Sequence, residues 1–220
     1  PEGIDFDQGQ ALLRDTVLMF REQISDPTNI CLSVDGEDNG ADVAKRLGER
    51  FGVSTCDSAE NGGKLRAVTA GMLQLLKRND LAYLAVVDMD GDHFANELLN
   101  FVRFARHIED ELGTERVLVL GRRNSRHRPL GLLRAELEEL AERILLDALS
   151  YRSVVTGRPL RLEYVTTSSE FLDVHSGYKL FSRATARDVF TNTPQRAGVS
   201  AAGYYRHACE AVMAVEDGQL

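Results

Sequence analysis

This chain of 220 residues has little cysteine, no long apolar run and no excess of positive charge, and each shortage narrows what it does. Its three cysteines, Cys31, Cys56 and Cys209, form no close C-x-x-C pair and stand among apolar or small residues. That argues against a disulfide framework or a zinc site and fits reduced thiols in the cytoplasm. No stretch approaches the roughly 18 apolar residues of a membrane span, and the first residues show no charged-then-apolar leader pattern. A cytoplasmic protein, soluble or peripheral to the inner face of a membrane, is expected. A formal net charge of −8 argues against binding nucleic acid by neutralising phosphates over a broad basic face. The local cluster Arg122, Arg123, Arg126 and Arg128 runs against that acidic total. Internal repeats and low-complexity tracts are lacking as well.

What is present is ordinary for a globular domain, with 43% hydrophobic and 27% charged residues in a chain long enough for one sizeable core. Leu13, Val17, Phe20 and Ile24 recur at helical spacing, and Asp26-Pro27 closes that helix before the apolar strand Ile30 to Val34, which ends at Asp35. Val43, Leu47 and Phe51 mark a second helix ended by Gly52, and Val53 to Cys56 a short strand. The polar turn Asn61-Gly62-Gly63-Lys64 leads into a third helix carrying Leu65, Val68, Met72 and Leu75. A buried strand over 82–87 closes on acids, a helix with Phe94, Leu98, Phe101, Phe104 and Ile108 reaches about Leu112, and Val117 to Leu120 form another strand. This βαβα alternation predicts a largely parallel sheet with helices on both faces. Leu133, Leu137, Leu140 and Ile144 then stripe a long charged helix over 130–149, and apolar Leu132 and Leu145 beside the stripe suit packing against a second copy. Beyond it the pattern is less regular, from strand-like Leu160 to Val165 to the run Gly177 to Phe181, where Lys179 and Arg183 read as exposed charges alternating with buried Leu180 and Phe181.

The chemistry concentrates at Asp88-Met89-Asp90-Gly91-Asp92-His93. On a continuing strand Asp88 and Asp90 point to the same side, both able to reach one cation beyond the sheet edge, with Asp92 as a third ligand and His93 outside the ligand set. Hard oxygens there suit Mg²⁺ or Mn²⁺. The plainer alternative is that these acids cap the helix starting near Phe94. At Asn61 to Lys64, backbone N–H groups, a helix dipole and one lysine converge where a diphosphate would lie, or form an ordinary loop. Asp35 accepts hydrogen bonds from a ribose or base, or makes an Asx turn with Gly36.

Taken in order, Val34-Asp35-Gly36-Glu37-Asp38, Asn61-Gly62-Gly63-Lys64 followed by Ala67, and Asp88-Met89-Asp90 resemble the nucleotide-sugar half of family 2 GT-A glycosyltransferases. Gly121-Arg122-Arg123 resembles the glycine-x-arginine segment of their polyprenyl-phosphate sugar transferases, of the dolichyl-phosphate-mannose-synthase type. Asp173-Val174-His175-Ser176-Gly177-Tyr178-Lys179-Leu180 resembles their aspartate and serine-glycine-aromatic-basic motif, and Tyr204 to Gly218, with Glu210, their late helix.

The resemblance implies an α/β GT-A fold over 1–220, with a nucleotide-sugar half over 1–120 and an acceptor half over 121–220. Such enzymes open with a strand that is not seen before Pro1-Glu2-Gly3-Ile4, so the chain is expected to lack the first strand. The implied activity is metal-dependent, inverting transfer from a UDP- or GDP-sugar to a sugar, lipid-phosphate or small-molecule acceptor. In that reading Asp35, Asn61, Lys64, Asp88 and Arg122 bind the donor, Asp88, Asp90 and Asp92 hold Mg²⁺ or Mn²⁺, and Asp173 and Arg123 are catalytic. Asp173 deprotonates a hydroxyl acceptor or, if the acceptor is an ionised phosphate, orients groups, while Arg122, Arg123 and Arg134 hold that phosphate. Two alternatives compete. One is a haloacid-dehalogenase-type phosphohydrolase using Asp88 and Asp90, disfavoured because three α/β elements precede that motif and Asp92 replaces the usual threonine or serine. The other is a nucleotide-sugar-binding domain without turnover.

Overall fold

The computed structural model describes residues 6–37, 40–124, 130–160, 172–191, 200–207 and 209–217. Apolar spacing sets the first helix, α1 (Phe6–Gln23), which buries Thr16, Val17 and Phe20. A short 3-10 turn at Pro27–Asn29 is capped by the Asp26 carboxylate, which accepts the Thr28 N–H. There follow β1 (Cys31–Asp35), α2 (Ala41–Phe51), β2 (Ser54–Ser58), α3 (Lys64–Leu76), β3 (Tyr83–Val86), α4 (Glu97–Leu112), β4 (Leu118–Leu120) and α5 (Leu132–Thr156). The chain continues as β5 (Lys179–Ser182), α6 (Arg183–Thr191), α7 (Ala201–Arg206) and α8 (Cys209–Asp217). The expected strand over Leu160 to Val165 falls, from residue 161 onward, outside the described residues.

The protein is α/β, but its strands do not form one broad parallel sheet. β1 and β2 pair in parallel, Cys31 opposite Ser54 through Asp35 opposite Ser58. A separate three-stranded sheet has the order β3-β5-β4, with β5 antiparallel to both neighbours. The physical reason for the reversal is where the chain re-enters. It leaves β4 at Leu120 and enters β5 at Lys179, and these two residues are register partners at the same edge. Among the described residues, β1 and β3 each have a strand neighbour on one side only.

The three-stranded sheet carries the core on both faces. Phe181 packs with Leu84 and Val86 of β3, Leu65 and Met72 of α3, Ala186 and Phe190 of α6, and Cys209 and Met213 of α8. Leu180, one residue earlier and so on the opposite face, packs with Val119 of β4 and with Ala105 and Ile108 of α4. Four consecutive buried residues from Lys179 to Ser182 are what a strand covered on both faces requires. That corrects the alternating pattern expected there. Lys179 is fully buried, and Arg183 donates to the carbonyls of Leu76, Arg78 and Leu81, satisfying acceptors at the end of α3 and in the loop after it.

Two other expectations shift. β3 stops at Val86, so Asp88 and Asp90 lie in the turn beyond it and strand alternation no longer relates them. α4 begins at Glu97 rather than near Phe94, whose ring is exposed.

Candidate functional site

Because β5 runs against its neighbours, its amino end lies at the carboxyl ends of β3 and β4. Four segments therefore finish near one edge: Asp35 after β1, Asp88 after β3, Gly121 to Arg123 after β4, and Asp173 to Lys179 before β5. Open α/β folds bind ligands outside the carboxyl ends of their strands. Hydrogen bonds stitch these segments together. Gly121 N–H donates to Tyr178 O at 2.8 Å, and Asp35 accepts Gly62 N–H at 2.7 Å and Gly63 N–H at 2.9 Å.

That last pair revises two expectations. The Asp35 carboxylate shapes the turn before α3 instead of turning back on Gly36, whose N–H goes to Ser58 Oγ. Two N–H groups expected to face a diphosphate already have an acceptor. Gly63 sits at φ +105°, and a Cβ there would strike the Tyr205 carbonyl, so only glycine lets α7 close over the turn. Arg206 donates to Asn61 Oδ1 and Asn61 O, both at 2.6 Å. Arg66 lies against Gly62 with its guanidinium 5.0 Å from the centre of the Tyr205 ring. In a chain of net charge −8, Lys64, Arg66 and Arg206 thus gather three cations at the amino end of α3, where the helix dipole also favours an anion.

Lys64 is held by two carboxylates, Asp88 at 2.8 Å and Glu210 of α8. Burial works against its ammonium, but Asp88 and Glu210 outweigh that and raise its pKa. Glu210 shows the converse: burial pushes it up, and the Lys64 contact more than reverses this, leaving it below the usual carboxylate range. Gly177 presses on the same place, since a Cβ there would collide with the Asp88 carboxylate and sit 3.0 Å from His93 Nε2. His93 is half-buried, its ring 5.5 Å from that of Tyr178.

A second ionic cluster ties the segment after β4 and the segment before β5 to α5. Asp173, fully buried at φ +60°, accepts from Arg123 N–H at 2.8 Å and from Arg123 Nη2 at 2.6 Å. The same Nη2 donates to Glu138 of α5 at 2.8 Å, and Asp173 N–H donates to Glu142 of α5. Burial alone would lower the Arg123 pKa, but Asp173 and Glu138 raise it. Arg123 and Asp173, expected as catalytic, are thus bound to each other, while Arg122 beside them is exposed. Arg134 is exposed too and sits 3.5 Å from Glu138. Arg126 and Arg128 lie outside the described residues.

Lys179 joins the two clusters. Its ammonium donates to Ser176 O and lies within electrostatic reach of Glu210, Asp88 and Asp173. Burial pushes it down to about 8, with those acids pulling the other way.

The expected metal ligands do not assemble in this arrangement. Asp88 faces the Lys64 ammonium, Asp90 is exposed and accepts the Asp92 N–H at 3.2 Å, and Asp92 is exposed. Among the described residues no three His, Cys, Asp or Glu side chains come together as a cation site. A lysine stands where Mg²⁺ or Mn²⁺ would meet Asp88, so these residues do not fit a resident ion as they are placed. The cysteines are free thiols, and burial pushes Cys31 up to about 11 and Cys209 up to about 12, away from nucleophilic chemistry. No helix among the described residues is long and apolar enough to cross a membrane.

The sequence pattern did not point to Arg66, Arg206, Glu138 or Glu142, and it placed Lys179 at the surface instead of in the core. Arg66 had a local signal, lying in the same first helical turn as Lys64. Arg206 had none, because it reaches Asn61 across 145 positions. Lys179 was signalled by its setting in the run Tyr178-Lys179-Leu180-Phe181, too apolar for a strand with one wet face. Compared with protein-family models, with curated proteins and with solved structures, the chain matches none.

Proposed function

We propose that this protein is a glycosyltransferase of GT-A type that binds a UDP- or GDP-linked sugar at the amino end of α3 and moves the sugar to an acceptor held near Arg122. The observation that carries this reading is the convergence of Lys64, Arg66 and Arg206 on the turn fixed by Asp35, beside Asp88. Departure of a nucleoside diphosphate develops negative charge, and fixed cations at a half-buried edge stabilise it better than water does. Lys64 is already ion-paired, so the incoming diphosphate exchanges with Glu210 at its ammonium. Asp90 and Asp92, exposed in the turn after β3, stand beside that path.

The bond between Asp173 and Arg123 favours an acceptor that arrives ionised. A carboxylate gripped by a guanidinium is a poor proton acceptor, whereas it holds the segment carrying Arg122 in place. Asp173 is then a positioning residue, and a lipid phosphate or other phosphate acceptor needs no general base. No step above depends on a divalent ion.

Calorimetry of the full chain with UDP- and GDP-sugars, with and without Mn²⁺, tests the proposal, followed by assay of nucleoside diphosphate release with phosphate acceptors. Saturable binding of one donor that Lys64→Ala and Arg206→Ala both weaken supports it. Heat from neither donor overturns it. Binding without release under any acceptor favours the non-catalytic alternative, and trapping a phosphoryl adduct on Asp88 favours the phosphohydrolase.

A further inference from the structure

The longest helix turns its apolar side outward. α5 meets the body of the protein through Ala135 and Glu142, both fully buried, with Glu138, Leu145, Leu146 and Leu149 beside them. On the opposite side Leu133, Leu137, Leu140, Ile144, Tyr151 and Val155 are between 54% and 75% exposed. Ala141 and Ala148, also exposed, fill the spaces between them. The stripe runs about 33 Å at 1.5 Å per residue, and contiguous apolar patches of that size on a soluble surface mark an interaction site.

The order of residues along the stripe points to its occupant. Counted from Ile144, the positions four, seven and eleven residues away are apolar in both directions: Leu140 and Ala148, Leu137 and Tyr151, Leu133 and Val155. A two-fold axis through Ile144 therefore places the apolar residues of one stripe against those of its copy, as an isologous interface needs. A 25-residue helix packed along one side approaches the about 800 Å² per partner of a standard interface. The exposed charges bordering the stripe, Arg134, Glu136, Arg143, Asp147 and Arg152, alternate in sign, whereas a helix lying on an anionic bilayer carries a consistently basic border.

We infer that α5 is the interface of a homodimer in which two copies pack their α5 helices antiparallel about Ile144. Light scattering on the full chain should return twice the chain mass, and Leu137→Asp with Ile144→Asp should halve it while leaving the circular dichroism spectrum unchanged. Placement of the axis has its own test. Under mild oxidation Ile144→Cys should cross-link to its copy, Leu133→Cys should not, and the Leu133→Cys/Val155→Cys pair should do so again, with the unsubstituted chain as the control for native thiols. A wild-type chain that stays monomeric at every concentration overturns the inference, as does a dimer that survives the double aspartate variant. A monomer that sediments with anionic phosphatidylserine vesicles assigns the stripe to a membrane instead. Cross-linking of Leu133→Cys as efficient as that of Ile144→Cys overturns the antiparallel arrangement.

Discussion

The two sheets of this protein are built to different standards of burial. In β5 all four residues are buried, with Phe181 on one face and Leu180 on the other. In β1 and β2 no residue is fully buried, and Ser33, at the middle of β1, is exposed although its hydroxyl donates to Ala67 O. Both sheets nevertheless send side chains to the same edge. The two are not held alike: the three-stranded sheet fixes Lys179 and the Asp173–Arg123 clamp in place, while β1 leaves its middle residue open to water.

That contrast is breakable by mutation. The largest effect is expected in β5, where Phe181→Ala should cost about 4 kcal/mol, measured by urea unfolding, against about 1 kcal/mol for Val34→Ala in half-buried β1. Equal costs would erase the distinction between the sheets. Next comes the clamp: Arg123→Ala leaves Asp173 buried without its guanidinium and should cost about 3 kcal/mol. The double replacement Arg123→Met with Asp173→Asn, which keeps a residue tolerant of φ +60° and an acceptor for the residue-123 N–H, should recover much of that loss, and failure to recover any would mean that packing, not charge, sets the cost.

The buried lysine gives a pH signature. Its folded pKa of about 8 lies below the ordinary 10.5, so the unfolded chain binds the proton more tightly. The cost of burying the charge is felt in full below pH 8 and fades as pH rises toward 10.5. Lys179→Met should therefore be the more stable protein at pH 7, by on the order of 2 kcal/mol, with the gap narrowing at pH 10. A gap independent of pH would contradict a buried ammonium. Nitrogen-15 NMR of the lysine Nζ should find the titration directly, and Glu210→Gln should move it lower still. The smallest effect is at the ligand: Glu210→Gln frees Lys64 from one carboxylate and should tighten nucleotide-sugar binding several-fold by calorimetry, whereas weaker binding would make Glu210 part of the ligand site.

Much of the first half was legible from residues alone. Apolar spacing at Leu13, Val17 and Phe20 and the stop at Gly52, which adopts φ +70° after α2, are local signals and set element boundaries well. The site was legible in part: Asp35, Asn61, Lys64 and Asp88 do meet, because each sits at the end of a locally recognisable element. What failed was non-local. Whether β5 runs parallel or antiparallel depends on where the chain returns after α5, and no spacing within Lys179 to Ser182 records that. The aspartate pair was misread for a related reason, since alternation at Asp88 and Asp90 presumed a strand that ends at Val86. The α5 stripe was visible as a pattern, but burial decided its direction: Ala135 and Glu142 face inward, and the leucines face out.

The most direct test is a crystal of the full chain soaked with UDP or GDP. The proposed function predicts diphosphate oxygens within hydrogen-bond reach of Lys64, Arg66 and Arg206, with Glu210 displaced from Lys64. Density for the nucleotide elsewhere, or an unliganded edge with the Lys64–Glu210 pair intact, would contradict it.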